Sequence, residues 1–430
     1  MLTMEINIKT IQQINKFEYP NDLVKIFNKL NHLNYKCIIV GGYVRDFFLE
    51  KTSKDIDIEV YGLEHIQELC YLLKEFGDIH EVGKSFGVCK LQLANYDLDF
   101  SMPRIDNKTS KGHQGFTIET KKNLDFKIAA SRRDFTINSM GYDTLNNKLL
   151  DPYNAKIDLD NKLLKIVDKY SFIEDPLRVF RAMSMIARFE LNVEKATQQL
   201  CIVMVKKNML QELSKERIYT EFEKLFLDSI RPSLGLVFLY SIGTCKVFFN
   251  CILNASLWKK TLLYLDEFTQ IKIKKQLTTN KTNMKLSLVL LCYHFEEKNR
   301  IHFLQMITNE TKLHQEIFNI TKCSKILEKK NDTYTLKKIA TEVKFEELFI
   351  VMDALGLNAK YIKKEVKDLD IINKKIPNLL QGKDLILLGL KPSPLFSQVL
   401  DEVYEAQLHS KLKTKKEALN FVKSLNYLSL

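Results

Sequence analysis

The chain of 430 residues is 45% hydrophobic and 27% charged, which describes a globular protein with material for more than one core and excludes a disordered or collagen-like chain. Its 65 Lys and Arg against 53 Asp and Glu leave a formal charge of +12, a balance that favours a polyanionic partner such as nucleic acid. The 8 cysteines form no C-x-x-C pair and the most apolar run, Leu286 to Tyr293, is far short of the ~20 residues of a membrane span, so a zinc knuckle, a disulfide framework and a membrane protein are not expected. With no apolar signal core near its start either, the chain reads as cytoplasmic.

In chain order, apolar spacing predicts a helix from Leu23 to Leu33 and a strand from Cys37 to Val40, ended by Gly41-Gly42 and a short helical pattern through Tyr43, Val44, Arg45 and Asp46. A second strand is expected from Asp55 to Val60, a helix from Leu63 to Phe76, and adjacent strands at Val88 to Leu93 and Tyr96 to Met102. Pro103 to Gly115 is polar and glycine-punctuated, and reads as a flexible loop. Arg132-Arg133 are expected to open a short amphipathic helix running to Met140. From Ser171 onward the pattern is helical, with Ser171 and Glu174 fitting a capping box, Pro176 in the first turn, and a basic connector at Lys272 to Lys285. Gly382-Lys383-Asp384 and the Gly389 to Pro394 stretch mark a break before a final pair of helices. The fold class expected is therefore α+β: a small α/β head (1–150) followed by an elongated all-α remainder.

The chemistry concentrates in three segments. Alternation has period two, so Asp55 and Asp57 leave their strand on one face, with Ile56 and Ile58 on the other. Two adjacent carboxylates repel unless a cation sits between them, and a divalent metal, Mg²⁺, meets that need. The paired glycines let a phosphate approach the backbone, where the N–H groups of the next turn favour an anion. A metal beside a triphosphate implies nucleotidyl transfer. Asp97 and Asp99 share a face by the same argument, and Asp99 is the candidate third carboxylate. In the second segment, Arg132 and Arg133 suit phosphate oxygens, while Asp134 or Asn138 can meet a ribose hydroxyl. In the third, Asp175, Arg178 and Arg181 recur every three residues within about a third of a helix circumference. A carboxylate accepts from an exocyclic amine and a guanidinium donates to ring nitrogens or carbonyls, so an Asp-Arg pair can select C and A without a template.

Taken together, GGYVRD…DID, RRDFTIN and EDPLRVFR, with the connecting DPYNAKIDL and the later ERIYTEFEKLF, resemble the class II tRNA nucleotidyltransferases, which include CCA-adding enzymes and bacterial poly(A) polymerases. The resemblance spans about Ile38 to Phe226, and the tail segment GKDLILLGLKPSP is also similar. It implies a nucleotidyltransferase-type head (1–150), a base-selecting neck (151–230), and a helical body (231–375) and tail (376–430) that bind tRNA. It implies metal ligation by Asp55 and Asp57, a catalytic Asp99, and nucleotide contacts from Gly41, Gly42, Arg45, Arg133, Asp134, Asn138, Asp175, Arg178 and Arg181. The implied activity is addition of the 3′-terminal CCA to tRNA from CTP and ATP, with contacts to the tRNA 3′ end and its acceptor and T arms. The Asp106 to Gly115 loop matches the one implicated in switching from C to A addition. The alternatives are a poly(A) polymerase, or an enzyme adding only CC or only the final A. Gly83-Lys84-Ser85-Phe86 stands where poly(A) polymerases tend to carry a Gly-Arg-Arg-Phe-like sequence, which favours CCA addition. Two departures from the pattern are Ala155, where a glycine is usual, and Ser184, where a basic residue often continues the ridge after Arg181.

Overall fold

A computed structural model describes residues 17–82, 87–108, 116–120, 122–249, 254–275 and 279–425. The chain divides into two compact units, the first reaching Leu225 and including Leu234–Phe248, the second comprising Phe226–Ser233 and the chain from Phe249 onward.

The first unit opens with α1 (Asn21–His32), β1 (Lys36–Val40), α2 (Gly42–Phe48), β2 (Asp55–Tyr61), α3 (Ile66–Leu73), β3 (Ile79–Val82), β4 (Val88–Leu93) and β5 (Tyr96–Ser101). Then follow β6 (Arg104–Lys108), β7 (Phe116–Thr120), α4 (Phe126–Ser131), β8 (Gly141–Asp143) and β9 (Lys148–Leu150). Seven strands pair in the order β3-β4-β5-β2-β1-β8-β9. Only the β2–β5 pairing in this sheet is parallel, and its register sets Asp55 opposite Asp97 and Asp57 opposite Asp99. β1 lies inside the sheet, so Cys37 to Val40 are all buried, as a continuous apolar strand requires. β2 begins half-wet, with Asp55 and Asp57 exposed and Ile56 and Ile58 buried, then becomes buried throughout from Ile58 to Tyr61. The period-two reading holds where it matters for the site.

After the sheet come α5 (Ala155–Asp160), β10 (Leu163–Leu164), α6 (Lys169–Glu174), α7 (Leu177–Phe189), β11 (Asn192–Val193), α8 (Lys195–Lys206) and α9 (Lys215–Asp228). α7 is the spine of this part: Val179, Phe180, Ala182, Met183 and Ala187 are fully enclosed. Gly235 packs against it so closely that a Cβ there would lie 2.5 Å from the Met183 carbonyl. The second unit, past residue 254, is built from helices, with Leu286 to Leu291 buried on consecutive positions of Asn280–Leu291. Its final helices, Gly382–Leu387, Leu395–Leu408 and Lys415–Ser424, enclose their own apolar core around Leu385, Val399, Val403 and Val422. No helix among the described residues is long and apolar enough to cross a membrane.

Several local expectations are corrected. Arg104–Lys108 is not loop: it pairs antiparallel with Phe116–Thr120 as a two-stranded sheet of its own, while 109–115 lie outside the described residues. Arg132 and Arg133 follow the end of α4 rather than opening a helix, in keeping with the preference of cations for a helix C-terminus, and only a 3₁₀ turn, Thr136–Asn138, comes after them. Asp168, not Ser171, caps α6, accepting from the Tyr170 and Ser171 amides, and Pro176 begins the separate helix α7. Most of the expected connector at 272–285 is helical, since one helix runs to Lys275 and the next starts at Asn280. Lys272 there donates to the Phe226 and Leu227 carbonyls, and Lys285 is buried against Glu316 and Glu347. Gly382 starts a helix under a Gln381–Asp384 capping box instead of breaking one. Finally, α3 packs on β4 so that Cys70 and Cys89, with Cα atoms 5.8 Å apart, are joined as a disulfide, a pairing that sequence spacing does not reveal.

Candidate active site

The C-terminal end of β1 delivers the chain into Gly41, whose φ of 76° falls where side chains are disfavoured. Val40 is in register with Asp57, so the glycine turn sits beside the carboxylate pair at one end of the sheet. A Cβ on Gly41 would come within 2.7 Å of Arg133 Nη1 and 3.5 Å of Asp57 Oδ2. The missing side chain is what admits the guanidinium.

From this turn a cleft of about 560 Å³ extends between that end of the sheet and helices α7 and α9. Its size suits a nucleotide. Eleven of the twelve residues to which the resemblance assigns roles line it: Gly41, Gly42, Arg45, Asp55, Asp57, Arg133, Asp134, Asn138, Asp175, Arg178 and Arg181, joined by Arg132. The twelfth, Asp99, lies outside the lining, next to Asp57 across the β2–β5 pairing, with its carboxylate on Lys90 Nζ at 2.8 Å. Seven arginines and one lysine face the cleft against five carboxylates, a surplus of positive charge suited to a polyphosphate.

The side chains are already interlinked. Arg45, 6% exposed, donates to Asn138 Oδ1 at 2.5 Å and to Asp46 Oδ1 at 2.6 Å, and lies over the Phe189 ring at 4.4 Å. Asn138 Nδ2 donates to Asp134 Oδ1 at 3.0 Å, and Arg181 Nε donates to Asp134 Oδ2 at 2.6 Å. Burial alone would raise the Asp134 carboxyl, but the Arg181 charge, the Asn138 amide and the Arg178 charge outweigh it and hold it at about 2. Arg178 Nη2 donates to the Arg132 carbonyl at 2.6 Å and its Nη1 to Ser171 Oγ at 3.1 Å, which ties the third segment to the second. Asp175 accepts from the Leu177 amide at 3.2 Å and from Arg217 at 2.9 Å.

A divalent cation fits the outer end of the cleft by its donor chemistry. Asp55 and Asp57 present hard carboxylate oxygens there, and Asp99 adds a third charge beside them. Loss of water pushes the Asp57 carboxyl up, Asp99 and Glu59 push the same way, and Arg133 and Arg132 oppose them. Such a carboxylate gains from a metal. No group of three metal-ligating side chains is preassembled among the described residues, so water and substrate phosphate oxygens would supply the other ligands of a bound ion.

The sequence reading missed several cleft residues. Glu59, enclosed behind the lining rather than part of it, continues the Asp55, Asp57 alternation by one more step and was legible in principle. Arg188 extends the basic ridge of α7. Arg217, Glu221 and Lys224 arrive from α9 and could be found only through tertiary packing. Ser184 donates to Glu221 Oε2 at 2.7 Å and is enclosed, so a basic side chain at that position would displace this bond. Ala155 is buried at the start of α5, and the left-handed residue of that joint is Asn154, with φ 58°, a type that tolerates it.

Residues 37–165 match the family described as the poly A polymerase head domain. The CCA-adding enzyme of Francisella tularensis subsp. novicida (strain U112) is 29% identical over 339 residues, covering 76% of this chain and 84% of that protein. The CCA-adding enzyme of Buchnera aphidicola subsp. Schizaphis graminum (strain Sg) is 36% identical over 219 residues, 49% of this chain and 48% of that protein. Among solved structures, a complex of a CCA-adding enzyme with CTP superposes with a TM-score of 0.71 at 20% identity, covering 95% of this chain and 96% of that one. The Thermotoga maritima CCA-adding enzyme complexed with tRNA superposes with a TM-score of 0.65, also at 20% identity and the same coverage. At that identity the superpositions establish the fold.

Proposed function

Because the chain belongs to the family of class II tRNA nucleotidyltransferases, which groups CCA-adding enzymes with bacterial poly(A) polymerases, we propose that its cleft builds the 3′-terminal CCA of tRNA from CTP and ATP. The reaction joins the tRNA 3′-oxygen to the α-phosphorus of the incoming nucleotide, breaks the α–β phosphoanhydride, and releases pyrophosphate. The observation that carries this reading is the convergence in one cleft of the Gly41-Gly42 turn, the Asp55–Asp57 pair and the Asp175–Arg178 pair.

Asp55 and Asp57, with Asp99 alongside, are the residues that would hold Mg²⁺. When bound, that ion would acidify the attacking hydroxyl and offset charge on the triphosphate. Gly42 opens the N-terminus of α2 to phosphate oxygens, while Arg133 and Arg45 supply guanidinium charge. Asn138 and Asp134 border the sugar. Asp134 would meet a ribose hydroxyl only by yielding a lone pair now taken by Arg181 or Asn138. Asp175 accepts the exocyclic amine of C or A and Arg178 donates to the ring, which disfavours the carbonyl-bearing edges of U and G. Arg181 holds Asp134 and so fixes the distance between sugar and base sites.

The same proposal divides the chain into head 1–150, neck 151–230, body 231–375 and tail 376–430. The basic surplus of the whole chain suits the last two to the acceptor and T arms of tRNA, in the cytoplasm. The segment that distinguishes CCA addition from poly(A) synthesis, Gly83 to Phe86, lies outside the described residues. The deciding experiment incubates the protein with Mg²⁺, CTP, ATP and a tRNA lacking its last three nucleotides, and sequences the products. Growth by C, C and A followed by arrest is expected. Long A tails from ATP alone would transfer the chain to poly(A) synthesis, arrest after CC or after a lone A to the partial enzymes, and no extension would refute the enzymatic reading.

A further inference from the structure

Glu59 takes the next position after Asp55 and Asp57 on the same face of β2, yet it is only 1% exposed. A carboxylate withdrawn from water must be paired and hydrogen-bonded. Its Oε1 accepts from Arg132 Nη2 at 3.0 Å and from Arg133 Nη2 at 3.2 Å, and its Oε2 accepts from the Tyr61 hydroxyl at 3.1 Å. One buried anion thus anchors both guanidiniums that follow α4.

Arg133 carries the consequence. Pinned at Nη2 by Glu59, it passes over Gly41 with Nη1 against the glycine, and its buried Nε has no hydrogen-bond partner among the described residues. Arg133 lines the cleft, and its Nη1, beside Gly41, is placed at the glycine turn where a phosphate would approach. The next anion near it is Asp57: the place a Cβ of Gly41 would take is 2.7 Å from Arg133 Nη1 and 3.5 Å from Asp57 Oδ2. Without Glu59, Arg133 has one obvious place to go, onto the carboxylate that must remain open for a cation.

We propose that Glu59 is a positioning residue of the cleft: it holds Arg132 and Arg133 toward the incoming triphosphate and keeps Arg133 from closing on Asp57. This rests on reading the cleft as the nucleotide site. Nothing in the substrate needs to touch Glu59. Its effect passes through the arginines.

The test is Glu59→Gln, which keeps the volume and the Tyr61 partner but removes the charge. With a tRNA lacking only its terminal A, the KM for ATP should rise by about tenfold while kcat changes much less, the pattern of lost nucleotide binding. Calorimetric titration of CTP should show the same loss in Kd. In the Arg133→Ala background, adding Glu59→Gln should produce little further change, because the partner through which it acts is gone. A folded Glu59→Gln protein with wild-type KM and Kd would overturn the proposal, and so would losses that multiply fully in the double variant. Should Glu59→Gln fail to fold, Glu59→Gln/Arg133→Gln relieves the unpaired charge, and wild-type nucleotide affinity in that variant or in Arg133→Ala would also overturn it. Wild-type protein run in parallel separates the two readings: no extension by wild type defeats the enzymatic function, whereas an active wild type with an unaffected Glu59→Gln defeats only this role.

Discussion

Asp134→Asn is the most informative perturbation of the cleft's scaffold. Asp134 is 6% exposed, and its oxygens receive Arg181 Nε and Nη2, Asn138 Nδ2 and its neighbour's amide, Phe135 N–H. The asparagine is nearly isosteric but turns an amide nitrogen toward Arg181 or Asn138, so a donor faces a donor. Its carboxyl lies at about 2 rather than the ordinary 3.8, which by linkage corresponds to roughly 2–3 kcal/mol of native-state stabilisation at neutral pH. Breaking a fully buried pair would cost about 3–5 kcal/mol, but the Arg181 side chain is 36% exposed, so water recovers part of that. The melting temperature of the first unit should then fall by about 4–8 °C at pH 7. The sign with pH follows from the depressed carboxyl: the stabilisation is present above the unfolded value and disappears as pH falls from about 4 toward 2. Thermal unfolding of both proteins by circular dichroism between pH 7 and pH 3 measures this. Equal melting at pH 7, or a gap that does not narrow at pH 3, would refute the charge argument and leave only packing.

Gly41→Ala should weaken nucleotide binding and destabilise the head by about 1–3 kcal/mol, since its φ of 76° suits no Cβ and the added atom meets Arg133 at 2.7 Å. Melting curves and CTP titration read both effects, and unchanged values in both would contradict the close approach. Asp55→Ala or Asp57→Ala should abolish extension while leaving tRNA binding, followed by gel shift, nearly intact. Residual extension near wild-type rate would remove the pair from the chemistry. Arg178→Ala should relax the choice of C and A over U and G more than it weakens triphosphate binding. Single-nucleotide incorporation with each of the four triphosphates measures this, and wild-type discrimination would defeat template-free base selection by the neck.

How much of this was legible depends on the range of the interaction. The glycine turn, the strand alternation and the three-residue spacing on α7 are local, and each put its residues in the cleft. Helix ends were read less well because several residues competed for the same role: Asp168 outcompeted Ser171 as a cap, and the arginines closed α4 rather than opening a helix. The 272–285 stretch looked like a connector from its polarity, but Lys272 bonds backbone carbonyls and the buried Lys285 pairs with half-buried Glu316 and Glu347, partners that only the fold brings near. Arg217 and Glu221 lie far along the chain from the glycines, and no spacing rule predicts that α9 reaches the same cleft. Asp99 stands between these cases: alternation put it on the correct face, and the register set it beside Asp57, yet its present partner is Lys90.

The proposed chemistry depends on whether the two outward aspartates of β2 grip a cation beside a nucleotide. Crystals grown with CTP and Mn²⁺ as a substitute for Mg²⁺ give anomalous scattering that locates the ion directly. The expected peak lies against the carboxylates of Asp55 and Asp57 and the triphosphate oxygens. A nucleotide bound with no ion at those carboxylates, or with both side chains turned away from it, would contradict the mechanism.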